Sequence, residues 1–281
     1  MDSKIAIKQK SFFEIKKDIL YLQTTFPFLK TKTLTHSTLG REIFLITIGE
    51  ADEYVYFLPS FCGNVTTGSL LTLRFIEELA HALQIGGEIA GVNIRKATCG
   101  KGFCFIPIIN PDGHEIAVKG FSAASYLHNI VYKNAETEHK GFEYNLRGVY
   151  LENNFYKCTV GSPYKNRFGG YAPFSEPESL ALAELLRKRK PRHIVSFCGE
   201  DNNISFYKPL NDTRTPKMLE IINAIYPKKQ IELTAPNTFG NWVRQEFYAP
   251  LFNLGIKNCE LCGTINLYNE LKELLTLMLI M

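Results

Sequence analysis

The sequence predicts a single α/β domain of three layers: a twisted, mixed and mostly parallel sheet with helices on both faces. Strand signals alternate with helix signals along the chain, the pattern of strand-helix-strand units. No internal repeat, low-complexity tract or Ser/Gly-rich linker divides the 281 residues. The composition, 45% hydrophobic and 21% charged, suits a globular chain long enough to bury a substantial core and speaks against disorder.

Taken in order, residues 1–40 read as a helical and extended lead-in, and residues 41–281 as the main domain. Tyr54-Val-Tyr-Phe-Leu58 is a short apolar run suited to a buried strand. A turn at Cys62-Gly-Asn64 follows. Then Leu70, Leu73, Ile76, Leu79, Ala80 and Leu83 recur at helical spacing, with Arg74, Glu77, Glu78 and His81 on the opposite face. Residues 102–109 form the next strand signal, stopped by Asn110-Pro-Asp-Gly113, which reads as a turn because proline fixes φ and glycine accepts positive φ. Ser175-Glu-Pro-Glu178 reads as a capping box opening a helix that runs to about Lys188. His193-Ile-Val-Ser-Phe197 is a further strand, ending at Cys198-Gly199. Cys62 and Cys198 therefore both fall at carboxyl ends of strands, where α/β sheets place their sites.

The net charge of +4 is scattered, and the densest basic run, Arg187-Lys-Arg-Lys190, sits where it complements a helix C-terminus. No basic and aromatic motif accompanies it, so a nucleic-acid partner is not expected. The charged start and the lack of a long apolar run predict a cytoplasmic chain without a membrane segment. Seven cysteines without an export signal favour reduced thiols, and Cys259-Glu-Leu-Cys262 is a lone pair lacking the second half of a zinc motif.

Several ordered motifs then carry a resemblance. They are Cys62-Gly-Asn-Val-Thr-Thr-Gly68, Phe105-Ile-Pro-Ile-Ile-Asn-Pro-Asp-Gly113, Asn145-Leu-Arg-Gly-Val-Tyr-Leu-Glu-Asn-Asn-Phe155, Phe174-Ser-Glu-Pro-Glu178 and Val195-Ser-Phe-Cys198. Gly240-Asn-Trp242 and Pro250-Leu-Phe-Asn-Leu-Gly255 follow near the C-terminus. In this order they resemble the zinc carboxypeptidase family, in particular its bacterial branch that cleaves γ-D-glutamyl-diaminopimelate bonds. The resemblance implies that family's α/β/α fold.

The departures carry as much chemistry as the matches. The family's zinc is held by a His and a Glu three residues apart and a distant His, and here those positions are Cys62, Val65 and Cys198. The Glu that activates water falls at Gly255, and an alternative placement at Glu260 breaks the spacing from Trp242. The Asn-Arg pair that grips a substrate carboxylate falls at Glu152 and Asn153, and the mobile Tyr near Leu233. A Glu there repels a carboxylate, and Asn lacks the two-pronged cation. Tyr150 stands where the family has Asp and belongs to the cleft wall.

These departures imply a non-catalytic homologue, without zinc or another cofactor, that binds a peptide, a cell-wall peptide or a protein through the old cleft. A second reading keeps a metallopeptidase with zinc on Cys62 and Cys198 plus a third ligand such as His114 or Glu152, acting on peptide or stem-peptide substrates. Beside these stand plainer assignments: His114 as a solvated loop residue, Glu152 paired with Arg147, the cysteines as small hydrophobes and Trp242 as packing. The oligomeric state is left open.

Overall fold

The computed structural model describes residues 4–6, 8–156, 161–199, 203–256 and 261–281. Cys158, Cys259 and Glu260 lie outside the described residues, as does the Cys262 side chain.

The strands are β1 (Lys30–His36), β2 (Glu42–Ile48), β3 (Tyr54–Leu58), β4 (Glu88–Ile89), β5 (Val92–Asn93), β6 (Gly102–Phe105), β7 (Pro191–Cys198), β8 (Ile204–Tyr207), β9 (Gln230–Glu232) and β10 (Leu251–Gly255). The helices are α1 (Phe12–Thr25), α2 (Thr67–Ile85), α3 (Ile94–Ala97), α4 (Pro111–Lys119), α5 (His128–Asn134), α6 (Pro177–Lys188), α7 (Arg214–Ile225), α8 (Phe239–Glu246) and α9 (Leu261–Ile280). Eight strands form one sheet in the order β1-β2-β6-β3-β7-β10-β8-β9, while β4 and β5 pair apart as a small hairpin. The contacts β6-β3, β3-β7, β7-β10 and β8-β9 are parallel. Those of β1-β2, β2-β6 and β10-β8 are antiparallel. This is the mixed, mostly parallel sheet that the alternation of strand and helix signals predicts.

Side chains along a strand point alternately to its two faces, and the core divides accordingly. Phe44, Ile46, Val55, Phe57, Val195 and Phe252 face α1, α2, α7 and α9. Ile43, Leu45, Tyr56, Leu58, Ile194 and Leu251 face α6 and α8. Strands apolar on both faces are what a sheet covered on both sides requires. Trp242 packs in the second layer among Phe155, Phe174, Phe239 and Phe247, and Arg187 lies over its ring. Among the described residues, no helix is long and apolar enough to cross a membrane.

The lead-in over residues 1–40 contributes α1 and β1 to these same layers. Helix α1 opens with a capping box, Ser11 with Glu14, and buries Phe12, Ile15, Ile19 and Leu22. The polar face of α2 is consequently covered. Glu77 is buried, accepts hydrogen bonds from the backbone N–H of Lys4 and Ile5, and pairs with Arg74, while His81 stands edge-on to Phe26.

Two local expectations are corrected. Asn110-Pro-Asp-Gly113 does not form a free turn but starts α4: Pro111 is the first helical residue, and the Asn110 side chain accepts from the Gly113 N–H at 3.0 Å. The fixed φ of proline serves a helix start as well as a turn. Asp112 then anchors the β1-β2 hairpin by accepting from Ser37 Oγ at 2.8 Å, from Leu39 N–H at 3.1 Å and from Arg41 at 2.5 Å.

The capping box at Ser175-Glu178 also does not form. The N-cap of α6 is Glu176, and Ser175 is instead drawn to Asn154, whose Nδ2 donates to Ser175 Oγ at 2.9 Å and to Gly169 O at 2.7 Å. Glu178 turns inward, only 1% exposed, and among the described residues neither carboxyl oxygen has a hydrogen-bond partner. Burial, with Glu176 and Asp112 nearby, pushes its carboxyl up to about 8.

Candidate functional site

At the carboxyl ends of β3, β7 and β10 the sheet opens into a cleft of about 410 Å³. Cys62 reaches it from the loop between β3 and α2, and Cys198 from the last position of β7. The Cys62 loop is fixed by a close crossing of two backbones. A Cβ on Gly63 would lie 2.5 Å from the Gly113 carbonyl carbon at the start of α4, so only glycine fits there. Val65 is buried beside this loop, and its Cγ2 would lie 2.7 Å from a Cβ added at Gly199, the residue after Cys198. The three positions Cys62, Val65 and Cys198 thus line one cavity. Gly255 ends β10 in register with Cys198 and donates its N–H to Asn203 O at 2.8 Å, and it brings no side chain to the cleft.

Tyr150, Glu152 and Asn153 form the facing wall. The Cys62 thiol donates to the Tyr150 hydroxyl at 3.3 Å, and that hydroxyl donates to Glu152 Oε2 at 3.5 Å. Burial pushes the Cys62 thiol up to about 12 and also raises the Tyr150 phenol, so both stay protonated at neutral pH. A protonated thiol with no adjacent base is a poor nucleophile. Asn153 turns its side chain to the loop opposite, donating to Arg167 O at 2.9 Å. Leu233, just after β9, also lines the cavity.

His114 is neither a cleft residue nor a solvated loop residue. It lies in α4, 3% exposed, with Nε2 at 2.8 Å from Lys10 O, and burial lowers its imidazole to about 4. The helix that begins at Pro111 rotates it toward the N-terminal segment, away from the cavity. Arg147 is also placed elsewhere than expected: this exposed side chain sets its Nε 3.7 Å from the buried carboxylate of Glu176 at the start of α6.

Sequence reasoning misses several residues that shape the site. Arg167 is the only cation among the described residues lining the cleft, with Glu143 and Glu152 as its acids. Its guanidinium stands 5.1 Å from the Tyr150 ring centre, and its charge is favoured by Tyr150 and by both carboxylates. Its backbone φ is +52°, between Asn166 at +49° and Phe168, so the loop holds a strained conformation at the cleft wall. No local pattern announces a loop arginine. Ser196, Ser205 and Asn253 form part of the floor, and Ser205 and Asn253 had a legible signal: one polar residue inside an otherwise apolar strand.

The donors present do not fit the zinc that the resemblance implies. Valine has no lone pair to offer, and no group of three His, Cys, Asp or Glu suited to a metal occurs among the described residues.

Comparison with known proteins agrees with the geometry of the scaffold. The family model described as zinc carboxypeptidase matches residues 15–269. A gamma-D-glutamyl-L-diamino acid endopeptidase 1 from Lysinibacillus sphaericus is 24% identical over 250 residues, covering 84% of this chain and 63% of the relative. The chain therefore spans less than two-thirds of that relative's length. Among solved structures, thrombin activatable fibrinolysis inhibitor matches with a TM-score of 0.75 at 13% identity, covering 96% of this chain and 73% of the other. The murein-tripeptide amidase MpaA of Escherichia coli O157 matches with a TM-score of 0.54 at 16% identity, covering 89% and 92%. These structures share the fold.

Proposed function

The chain belongs to the zinc carboxypeptidase family, and from its remodelled cleft we propose that it is a non-catalytic member that binds a peptide, such as a cell-wall stem peptide, or a protein segment. The observation that carries this reading is the contrast between a retained cavity of about 410 Å³ and the residues at its chemical centre. Cys62, Val65, Cys198 and Gly255 occupy the ligand and base positions, and none supplies a carboxylate or an imidazole. Hydrolysis in this family needs a metal with an open position and a base for its water. The relative at 24% identity, a gamma-D-glutamyl-L-diamino acid endopeptidase by name, supports a peptide as ligand.

A second reading, zinc rebuilt on Cys62 and Cys198, has one point in its favour: both thiols line the same cleft. The burial of His114 away from the cavity, against Lys10, weighs against it.

The deciding test is metal content by mass spectrometry on reduced protein purified without a chelating tag, with and without added zinc. The non-catalytic reading expects no stoichiometric zinc in either sample and no peptidase activity. About one zinc per chain, lost in Cys62→Ser, sinks it in favour of the rebuilt site.

A further inference from the structure

At the opposite edge of the sheet from the cleft, the amino ends of β7 and β10 leave a second pocket of about 240 Å³, walled by α7 and by Met281 at the end of α9. His193, the third residue of β7, lines this pocket although it is only 1% exposed. Extended strand separates it from Cys198 in the cleft by about 16 Å. The His193 Nε2 lies 2.7 Å from Met278 O. A carbonyl only accepts, so Nε2 carries the proton and Nδ1 of the neutral ring is left as an acceptor. No group among the described residues donates to Nδ1, and the pocket is the side from which a donor reaches it.

Three cations stand at the mouth: Arg192 from β7, and Arg214 and Lys217 from the first turn of α7. Among the described residues no aspartate or glutamate lines the pocket. Part of this charge has a structural use. Arg192 donates from Nε and Nη2 to Met281 O at 3.1 and 2.8 Å. Arg214 Nε lies 3.7 Å from Asp212, which also accepts from the Arg214 and Thr215 N–H groups. Lys217 has no such use, since it forms no ion pair among the described residues. Two cations in the first turn of a 12-residue helix also oppose its dipole. Their field reaches the imidazole: burial, with Arg192, Arg214 and Lys101, lowers His193 to about 4. The other walls, Met218, Ile221, Pro250 and Met281, are apolar.

We propose that this pocket binds a small organic anion, specifically a 2-hydroxy carboxylate with an apolar side chain. The carboxylate meets the cations at the mouth, the hydroxyl donates to His193 Nδ1, and the side chain covers Met218, Ile221 and Pro250. At about 240 Å³ the pocket is smaller than the roughly 300 to 1,000 Å³ of drug-sized sites, so a ligand of few heavy atoms suits it. Other ligands match less well. Inorganic phosphate satisfies the charges but leaves the apolar walls wet. An amino acid sets an ammonium among three cations. A plain aliphatic carboxylate leaves Nδ1 without a donor. The site is separate from the cleft and does not depend on what the cleft binds.

The test is calorimetric titration of the full chain near neutral pH with 2-hydroxyisocaproate, isocaproate, leucine and inorganic phosphate. 2-Hydroxyisocaproate is expected to bind about tenfold more tightly than isocaproate or leucine, and phosphate not measurably. Lys217→Glu, at an exposed position of α7 where an acid suits the helix dipole, should weaken 2-hydroxyisocaproate at least about tenfold. In the unmutated protein the nitrogen resonance of His193 Nδ1 should shift with 2-hydroxyisocaproate and stay in place with isocaproate. Equal binding of isocaproate, an affinity that survives Lys217→Glu, or an Nδ1 resonance that does not respond overturns the inference. So does the absence of binding by all four compounds up to about 10 mM.

Discussion

The response of stability to pH follows from three buried groups whose shifts have opposite signs. His114 and His193 are each lowered to about 4 by burial, from an ordinary 6.5. The folded state therefore excludes protons that the unfolded chain takes up between pH 4 and 6.5, and stability rises with pH across that window. The full effect is about 3 kcal/mol per histidine. Glu178 acts the other way. Its carboxyl is raised from 4.5 to about 8 by burial, with Glu176 and Asp112 adding to the effect. The folded state keeps a proton that the unfolded chain has lost, so stability falls as pH rises from 4.5 to 8.

Below pH 6.5 the two histidines outweigh the one carboxyl. Above it the unfolded histidines, half-protonated at pH 6.5, offset part of the Glu178 slope, and a net fall of about 1 kcal/mol remains between pH 6.5 and 8. A maximum near pH 6.5 is the expected result, read by urea unfolding at pH 5, 6.5 and 8 with the slope checked for constancy. Glu178→Gln should remove the fall above pH 6.5 and leave the rise below it. A wild-type curve that is flat from pH 6.5 to 8, or a fall that persists in Glu178→Gln, refutes the assignment.

Two further outcomes follow from the cleft. Iodoacetamide at pH 8 should label exposed Cys99 and spare Cys62, whose thiol is hydrogen-bonded to Tyr150 and pushed up to about 12; peptide mass spectrometry reads the ratio, and equal labelling contradicts the protonated state. Cys62→His combined with Val65→Glu and Cys198→His rebuilds the family's donor set at three positions that line one cavity. That triple variant should retain about one zinc per chain by elemental mass spectrometry, and a metal-free product would show that the main chain as well as the side chains has departed from the family.

The sheet was legible where burial and local pattern agree. Tyr54–Leu58 reads as a strand because all five of its side chains are buried, and α6 ends at Lys188 as its periodicity indicates. Tertiary contacts decided the rest. Ser175 looks like a cap until Asn154, far away in sequence, claims its hydroxyl, and Glu178 then faces the core. Glu77 looks like a surface residue of an amphipathic helix until residues 4 and 5 fold over it. Cys62, Val65, Cys198, Tyr150, Glu152 and Asn153, named from motif order, line a common cavity with Leu233, but Arg167 enters from a loop whose strained backbone leaves no periodic trace. His114 went astray for a simple reason: a proline read as a turn starts a helix instead, and that rotates the imidazole away from the cleft.

The crossing of Gly63 against Gly113 also bears on how a ligand is received. Two main chains in contact at that point leave the Cys62 loop no slack, since any outward swing must carry the start of α4 with it. Asp112 in turn ties α4 to the β1-β2 hairpin through Ser37, Leu39 and Arg41. This wall of the cleft is preorganised. A ligand loses its own freedom on entering but orders little of the protein at this wall, so modest contacts can yield useful affinity there.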